Sequence, residues 1–173
     1  MKTLIIPDIH NKTEKAEKII QKENPDRTVF LGDYFDSFGE GIEFAQQTAL
    51  WLKSSLQQPN RVHLIGNHDL SYQSNGIFQC SGFNSFKLWA IGRILQREDW
   101  NRMRFHEWVG DWLCTHAGVS RQFFDYYSKS RDIKTFMKEE ELEAAKFLKS
   151  GRYHPFFHCT EARGGVDKYP GIL

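Results

Sequence analysis

Four short apolar runs, each ending in a cluster of Asp, His, Asn or Gly, constrain this chain more than any other feature. Leu4-Ile5-Ile6 leads into Asp8-Ile9-His10, and Val29-Phe30-Leu31 into Gly32-Asp33-Tyr34-Phe35-Asp36. Val62-His63-Leu64-Ile65 leads into Gly66-Asn67-His68-Asp69, and Trp112-Leu113-Cys114 into Thr115-His116-Ala117-Gly118. Apolar runs of this length, bounded by polar or glycine residues, read as buried strands. In open α/β sheets ligands sit outside the carboxyl ends of the strands. One rim of one sheet is therefore expected to gather Asp8, His10, Asp33, Asn67, His68 and His116, a donor set that predicts a two-metal site.

The residue types fit that chemistry. Two divalent cations roughly 3.5–4 Å apart must be held without losing their Lewis acidity. A carboxylate bridging both ions meets this need, and Asp33 is the candidate bridge. Asp8 and His10 complete one side. Asn67, through its carbonyl oxygen, and His116, through a neutral ring nitrogen, complete the other. Mixed nitrogen and oxygen ligands without thiolates suit Mn, Fe or Zn and argue against a structural cysteine-type zinc site. His68 follows Asn67 and is placed to reach a leaving group rather than a metal. Asp36, three residues after the presumed bridge, is positioned to hydrogen-bond His68 and keep it protonated as a general acid.

Between these motifs strand and helix alternate. Thr13 or Asn11 can cap a helix running to residue 24, where Pro25 closes it. Ile42, Ala45, Ala49, Leu52 and Leu56 recur at three- and four-residue steps and predict a second helix before Pro59. A third helix is expected over residues 86–97, strands at 103–106 and 112–115, and a fourth helix over 132–149, ended by Ser150-Gly151. The early β-α-β-α-β order is that of a layered α/β sheet with right-handed crossovers. At 173 residues the chain is expected to form one domain.

Asp8-x-His10, Gly32-Asp33-x-x-Asp36 and Gly66-Asn67-His68-Asp69, in this order and each after a strand-like run, resemble the first three signatures of the calcineurin-like metallophosphoesterases. Within that family they are similar to the bacterial and phage relatives of the Ser/Thr protein phosphatases. The resemblance implies an α/β sandwich of layered sheets flanked by helices. It implies a phosphatase using two divalent ions (Mn, Fe or Zn), with Asp8, His10 and Asp33 as ligands of the first metal and Asp33, Asn67 and His116 as ligands of the second. Asp36 and His68 match the family's acid pair. Arg163, in Ala162-Arg163-Gly164-Gly165-Val166, resembles an arginine that binds substrate phosphate. Its planar fork can give two parallel hydrogen bonds to phosphate oxygens. Arg163 and Asn67 are the expected substrate contacts.

The match departs from the family in two places. Ser37-Phe38 stands where the protein phosphatases carry Arg-Gly, which removes one phosphate contact. The family's last signature, a Gly-His-Thr/Ser motif, has no counterpart, since no Gly-His pair occurs in the chain. Residues 1–173 are thus expected to be a single metallophosphoesterase domain lacking its C-terminal strands. Two other readings follow from this: a weakly active or inactive metal-binding remnant, and a phosphodiesterase or nuclease on the same core.

Composition narrows the partners. The net charge is +1 with no basic stripe, which argues against a dedicated nucleic-acid surface. No apolar run approaches a membrane span, and Asp8 comes too early for a signal peptide. Cys80, Cys114 and Cys159 are odd in number and lack ligand spacing, as in a reduced cytoplasmic protein. The expected partner is a phosphorylated substrate: a small phosphomonoester, a dinucleoside polyphosphate or a phosphoprotein. Asp8 and Asp33 could also serve merely as helix caps. His63 and His106 read as structural histidines, and residues 72–86 as a long loop or lid beside the third motif.

Overall fold

In the computed structural model the described residues are 1–37 and 39–161. The chain divides into two compact units, Met1–Arg104 and Phe105–Leu173. Parallel and antiparallel sheets both occur, so the chain is of the mixed α/β class expected from its alternating pattern.

The first unit is built on a parallel sheet of β1 (Thr3–Ile6), β2 (Arg27–Phe30) and β3 (Arg61–His63), in that spatial order. Ile6 pairs with Phe30, and Phe30 in turn with His63. Parallel neighbours need long crossovers, supplied by α1 (Thr13–Glu23) and α2 (Ile42–Ser55). Burial deepens toward the carboxyl end of each strand, reaching Ile6, Phe30 and the run His63-Leu64-Ile65. The motif loops leave the sheet from these buried ends. Phe30, Leu52, Leu64 and Ile65 are fully buried, and each contributes about 1.5–3 kcal/mol through removal of apolar surface from water.

α1 starts without a side-chain cap, its cap position being Lys12 rather than Thr13 or Asn11. Asn11 is engaged elsewhere, accepting from Thr48 and donating to Glu40. The helix ends at Asn24, whose left-handed backbone turns the chain toward β2. Glu17 of α1 accepts hydrogen bonds from Trp51 of α2 and Arg61 of β3, tying both crossovers to the sheet. Arg61 holds the Glu17 carboxyl below its ordinary range.

Three short helices follow: α3 (Asn67–Gln73), α4 (Ser85–Gly92) and α5 (Arg97–Trp100). The single helix expected over 86–97 is therefore broken after Gly92, where Gln96 and Asp99 begin a new capped turn. The strand expected at 103–106 is displaced, because Arg104 makes only an isolated bridge to Leu64.

In the second unit β4 (His106–Val109) pairs antiparallel with β5 (Trp112–Thr115) across Gly110-Asp111, where Gly110 has a positive φ. α6 (Arg121–Tyr127) and α7 (Ile133–Lys149) follow. α7 matches its expected span, with Asp132 capping the amides of Lys134 and Thr135. A 3-10 turn (Pro155–Phe157) leads into α8 (His158–Glu161). Phe136, Met137, Phe156 and Phe157 form this unit's core. Among the described residues no helix is long and apolar enough to cross a membrane.

Candidate metal centre and acid pair

Three loops meet at the carboxyl end of the parallel sheet, the first two laced together by main-chain bonds and the third joined to the second by the carboxylates of Asp33 and Asp69. The amides of Ile9 and His10 both donate to the carbonyl of Asp33, at 3.0 and 2.7 Å, and Asn11 donates to that of Tyr34. These contacts demand unusual backbone. His10, Asn11, Asp33 and Asp36 all have left-handed φ, between 40° and 67°, which costs a non-glycine residue of order 1–3 kcal/mol. Four such residues in two motif loops mark a site whose geometry is held by its surroundings.

Asp69 is the main holder, and its role was not legible in the sequence. Fully buried, it accepts from the amides of Asp33, Tyr34 and Gly66 at 2.7, 2.9 and 2.8 Å. One carboxylate thus joins the second and third motif loops. Its sequence signal was its place three residues after Gly66, where an acidic side chain folds back on the start of a helix. Gly32 and Gly66 are needed for a steric reason. A methyl group at Gly66 would collide with the Asp33 carboxylate, and one at Gly32 with the Gly66 backbone.

Asp33 is 4% exposed, and its Oδ1 accepts from the His68 amide at 3.0 Å. His10 Nδ1 donates to the carbonyl of Phe35 at 2.9 Å. A carbonyl can only accept, so Nδ1 carries the proton and Nε2 of the neutral ring keeps its lone pair. That nitrogen faces Asp33 Oδ2 at 3.8 Å. This is too long for a hydrogen bond, but two ligands of one ion, each about 2.0–2.2 Å from it, lie roughly 3–4 Å apart. A ligand oxygen of Asp8 falls within 4.8 Å of one of Asp33. Asp33 is thus approached by an oxygen donor, Asp8, and by an imidazole donor, His10, the kinds of group that can hold a metal ion.

A second cluster adjoins the first. A ring nitrogen of His68 comes within 4.8 Å of the donors of His10 and Asp33, and the two rings meet edge to face at 5.1 Å. His68 Nδ1 lies 3.1 Å from Asp36 Oδ2. Asp36 Oδ1 accepts from Tyr72 at 2.6 Å and from Lys87 at 2.9 Å. Burial acts to raise the Asp36 pKa, but the hydrogen bonds from His68, Tyr72 and Lys87 outweigh it and bring it below the ordinary range. Burial acts to lower that of His68, but the bond to Asp36, aided by Cys80 and by the charge of Asp33, pushes it up to about 10. The pair is an imidazolium held by a carboxylate.

Asn67 is the first residue of α3 and half-buried. His116 belongs to the second unit and directly follows β5, in a loop fixed by Ala117 on the Cys159 carbonyl and Gly118 on Thr115 Oγ1. Arg163 and Phe38 lie outside the described residues. His63 is structural, as its apolar setting predicted. Both ring nitrogens are engaged, with Tyr34 and Ser55 at 2.9 Å, and the ring stacks on Phe30. Residues 74–84 are neither strand nor helix, and they approach the acid pair. Gly82 packs on the Asp36 side chain, and Cys80 bonds with Ser71 of α3. Tyr72 and Lys87 gave no sequence signal, because nothing in their spacing distinguishes a buried partner of Asp36 from an ordinary helix residue.

Residues 1–168 match the family model for calcineurin-like phosphoesterases, and the chain belongs to that family. The family is metal-dependent and acts on phosphoesters, in keeping with the cluster of oxygen and imidazole donors. A search of curated proteins found no significant match.

Proposed function

We propose that this chain is a phosphatase that hydrolyses phosphomonoesters with the help of two divalent metal ions. The observation carrying this reading is the approach of Asp8 and His10 to Asp33, with His10 and Asp33 held in left-handed backbone, beside a His68 whose Nδ1 is bonded to Asp36. Asp8, His10 and Asp33 would hold one ion, and Asp33, Asn67 and His116 the other. Mn, Fe and Zn all suit these donors. When bound, such ions lower the pKa of water and neutralise phosphoryl oxygens. The family match over residues 1–168 supports reading both units as one metallophosphoesterase domain.

The chain's own residues supply the rest. Asp33 is oriented by the His68 amide, and His10 is fixed in one tautomer by Phe35. His68, oriented by Asp36, gives its Nε2 proton to the leaving oxygen as the bond from that oxygen to phosphorus breaks. The new bond to phosphorus comes from water, so the products are an alcohol and inorganic phosphate. Arg163 would bind the phosphate through its guanidinium fork. A small phosphomonoester and a phosphoprotein present the phosphate this site would engage, whereas on a dinucleoside polyphosphate the same attack would break a phosphoanhydride and release two nucleotides.

The test is steady-state hydrolysis of p-nitrophenyl phosphate by this chain with added Mn²⁺, with Asp33→Asn as the blank. Turnover that vanishes in the variant supports the reading. Activity equal to the blank on the monoester, with turnover of bis(p-nitrophenyl) phosphate instead, would replace it with a phosphodiesterase.

A further inference from the structure

Lys87 neither gives up nor accepts the transferred proton, yet its position is unusual. It stands in the first turn of α4, is 8% exposed, and places its ammonium 2.9 Å from Asp36 Oδ1. Lysine is almost never this buried unless paired, and withdrawing an ammonium and a carboxylate from water costs several kcal/mol per ion. A buried pair of this kind is therefore a poor way to stabilise a fold, since an apolar side chain of similar length would serve as well. The local structure nevertheless fixes Lys87 firmly. Asn84 caps α4 by accepting from the amides of Phe86 and Lys87, and α4 packs against α2 and α3.

The division of labour at Asp36 shows what this arrangement achieves. Its side chain is fully buried. Oδ1 takes both Lys87 and the Tyr72 hydroxyl, whereas Oδ2 takes His68. A carboxylate bonded by His68 alone could rotate about its terminal torsion, which is broad and roughly two-fold, and the ring would turn with it. Two donors on Oδ1 remove that freedom. Tyr72 is itself locked, packing between Phe35 and Phe83 at ring distances of 5.3 and 5.5 Å.

We propose that Lys87, together with Tyr72, is a positioning residue for proton delivery: by gripping Asp36 Oδ1 it aims Oδ2 at His68 and holds the imidazole toward the leaving oxygen. This rests on the phosphatase reading above. The bond from phosphorus to the leaving oxygen breaks with its electron pair on oxygen, and the Nε2 proton of His68 forms the O–H bond. The neutral imidazole then regains a proton from water.

The test exploits leaving groups. Phenyl phosphate expels a basic phenolate that benefits from a proton, whereas 2,4-dinitrophenyl phosphate expels an anion that needs none. Both would be assayed with Mn²⁺ using the full chain as wild type, Lys87→Met, Lys87→Arg and Tyr72→Phe, with metal content measured alongside. General acids contribute about 10²–10⁴ in rate, so Lys87→Met is expected to lose about tenfold more kcat on phenyl phosphate than on the dinitrophenyl ester. Metal content should stay equal, and Lys87→Arg should recover part of the loss. If Lys87→Met does not fold, Tyr72→Phe carries the test, with the same selectivity at smaller size. An equal loss on both esters, or no loss on either, overturns the positioning role while leaving the phosphatase reading intact. A wild type inactive on both esters overturns the phosphatase reading and this inference with it.

Discussion

The carbonyl of Phe35 selects the tautomer of His10, and with it the atom that faces Asp33. Such control by a partner outside the ligand set is how proteins orient imidazole toward a cation. His68 sits in a different environment, with its Nδ1 on a carboxylate rather than a carbonyl. The two histidines, 5.1 Å apart, thus differ in what holds their Nδ1, a carbonyl for His10 and a carboxylate for His68. His68→Ala is accordingly expected to lower kcat on p-nitrophenyl phosphate about 10²-fold or more with metal content unchanged. Loss of metal in that variant, measured by elemental analysis, would make His68 a ligand instead. His63 offers a prediction away from the site. Burial, then the charge of Arg61, push its pKa down to about 3, against an ordinary value of 6.5. Between these values the unfolded chain binds a proton that the folded chain refuses, so stability falls as pH drops from about 6.5 toward 3, by up to about 1.4 kcal/mol per pH unit. His63→Gln, which can still bridge Tyr34 and Ser55, should show a shallower loss between pH 7 and pH 4.5 in urea titrations. Parallel curves for the two proteins would exclude His63 as a source of the acid sensitivity.

At the scale of elements, the short helix α3 ties the Asp33 loop to the third motif loop. Its first turn gives the His68 amide to Asp33, and its third residue, Asp69, gathers three amides from the second and third motif loops. Hydrogen bonds to a charged group contribute about 1.5–3 kcal/mol each, and an orphaned buried amide costs a similar amount. Asp69→Ala should therefore destabilise the first unit by about 3 kcal/mol or more and weaken Mn²⁺ binding, although Asp69 is not proposed as a ligand. Calorimetric titration with Mn²⁺ would check this. Unchanged affinity would mean that the loops hold their shape without the clamp. Gly66→Ala should have the same effect for a steric reason, because the added methyl collides with the Asp33 carboxylate.

At the scale of the molecule, a metal that binds the folded state alone stabilises it by mass action, by about 2.7 kcal/mol at one hundred times its Kd. Saturating Mn²⁺ should thus raise the melting temperature of the wild type and leave that of Asp33→Asn nearly unchanged. Equal shifts in both proteins would place the bound metal elsewhere. This outcome is independent of substrate choice and reads the metal centre directly.

The sequence by itself determined the parts of this protein that depend on local order. Short apolar runs before Asp, His and Gly located the strands and their loops, because a buried strand must end where the chain turns to solvent. The helices Ile42–Ser55 and Ile133–Lys149 were legible because their apolar stripes are long enough to establish a period. That Asp8, His10, Asp33, Asp36 and His68 would be neighbours was legible because residue type at fixed offsets after each strand places them on adjoining loops. The tertiary structure decided what depends on approach between distant segments. It shifted the strand expected at 103–106 to His106–Val109, and it split the expected helix at Gly92. It also brought Lys87 to Asp36 across 51 residues and set Asp69 between two loops. A lysine in an ordinary helix carries no mark of such a partner, and the place of Asp69 three residues after Gly66 marks only its bond to the Gly66 amide, not those to Asp33 and Tyr34. Burial alone makes them matter, since a charge withdrawn from water must find its counterpart wherever the fold provides it.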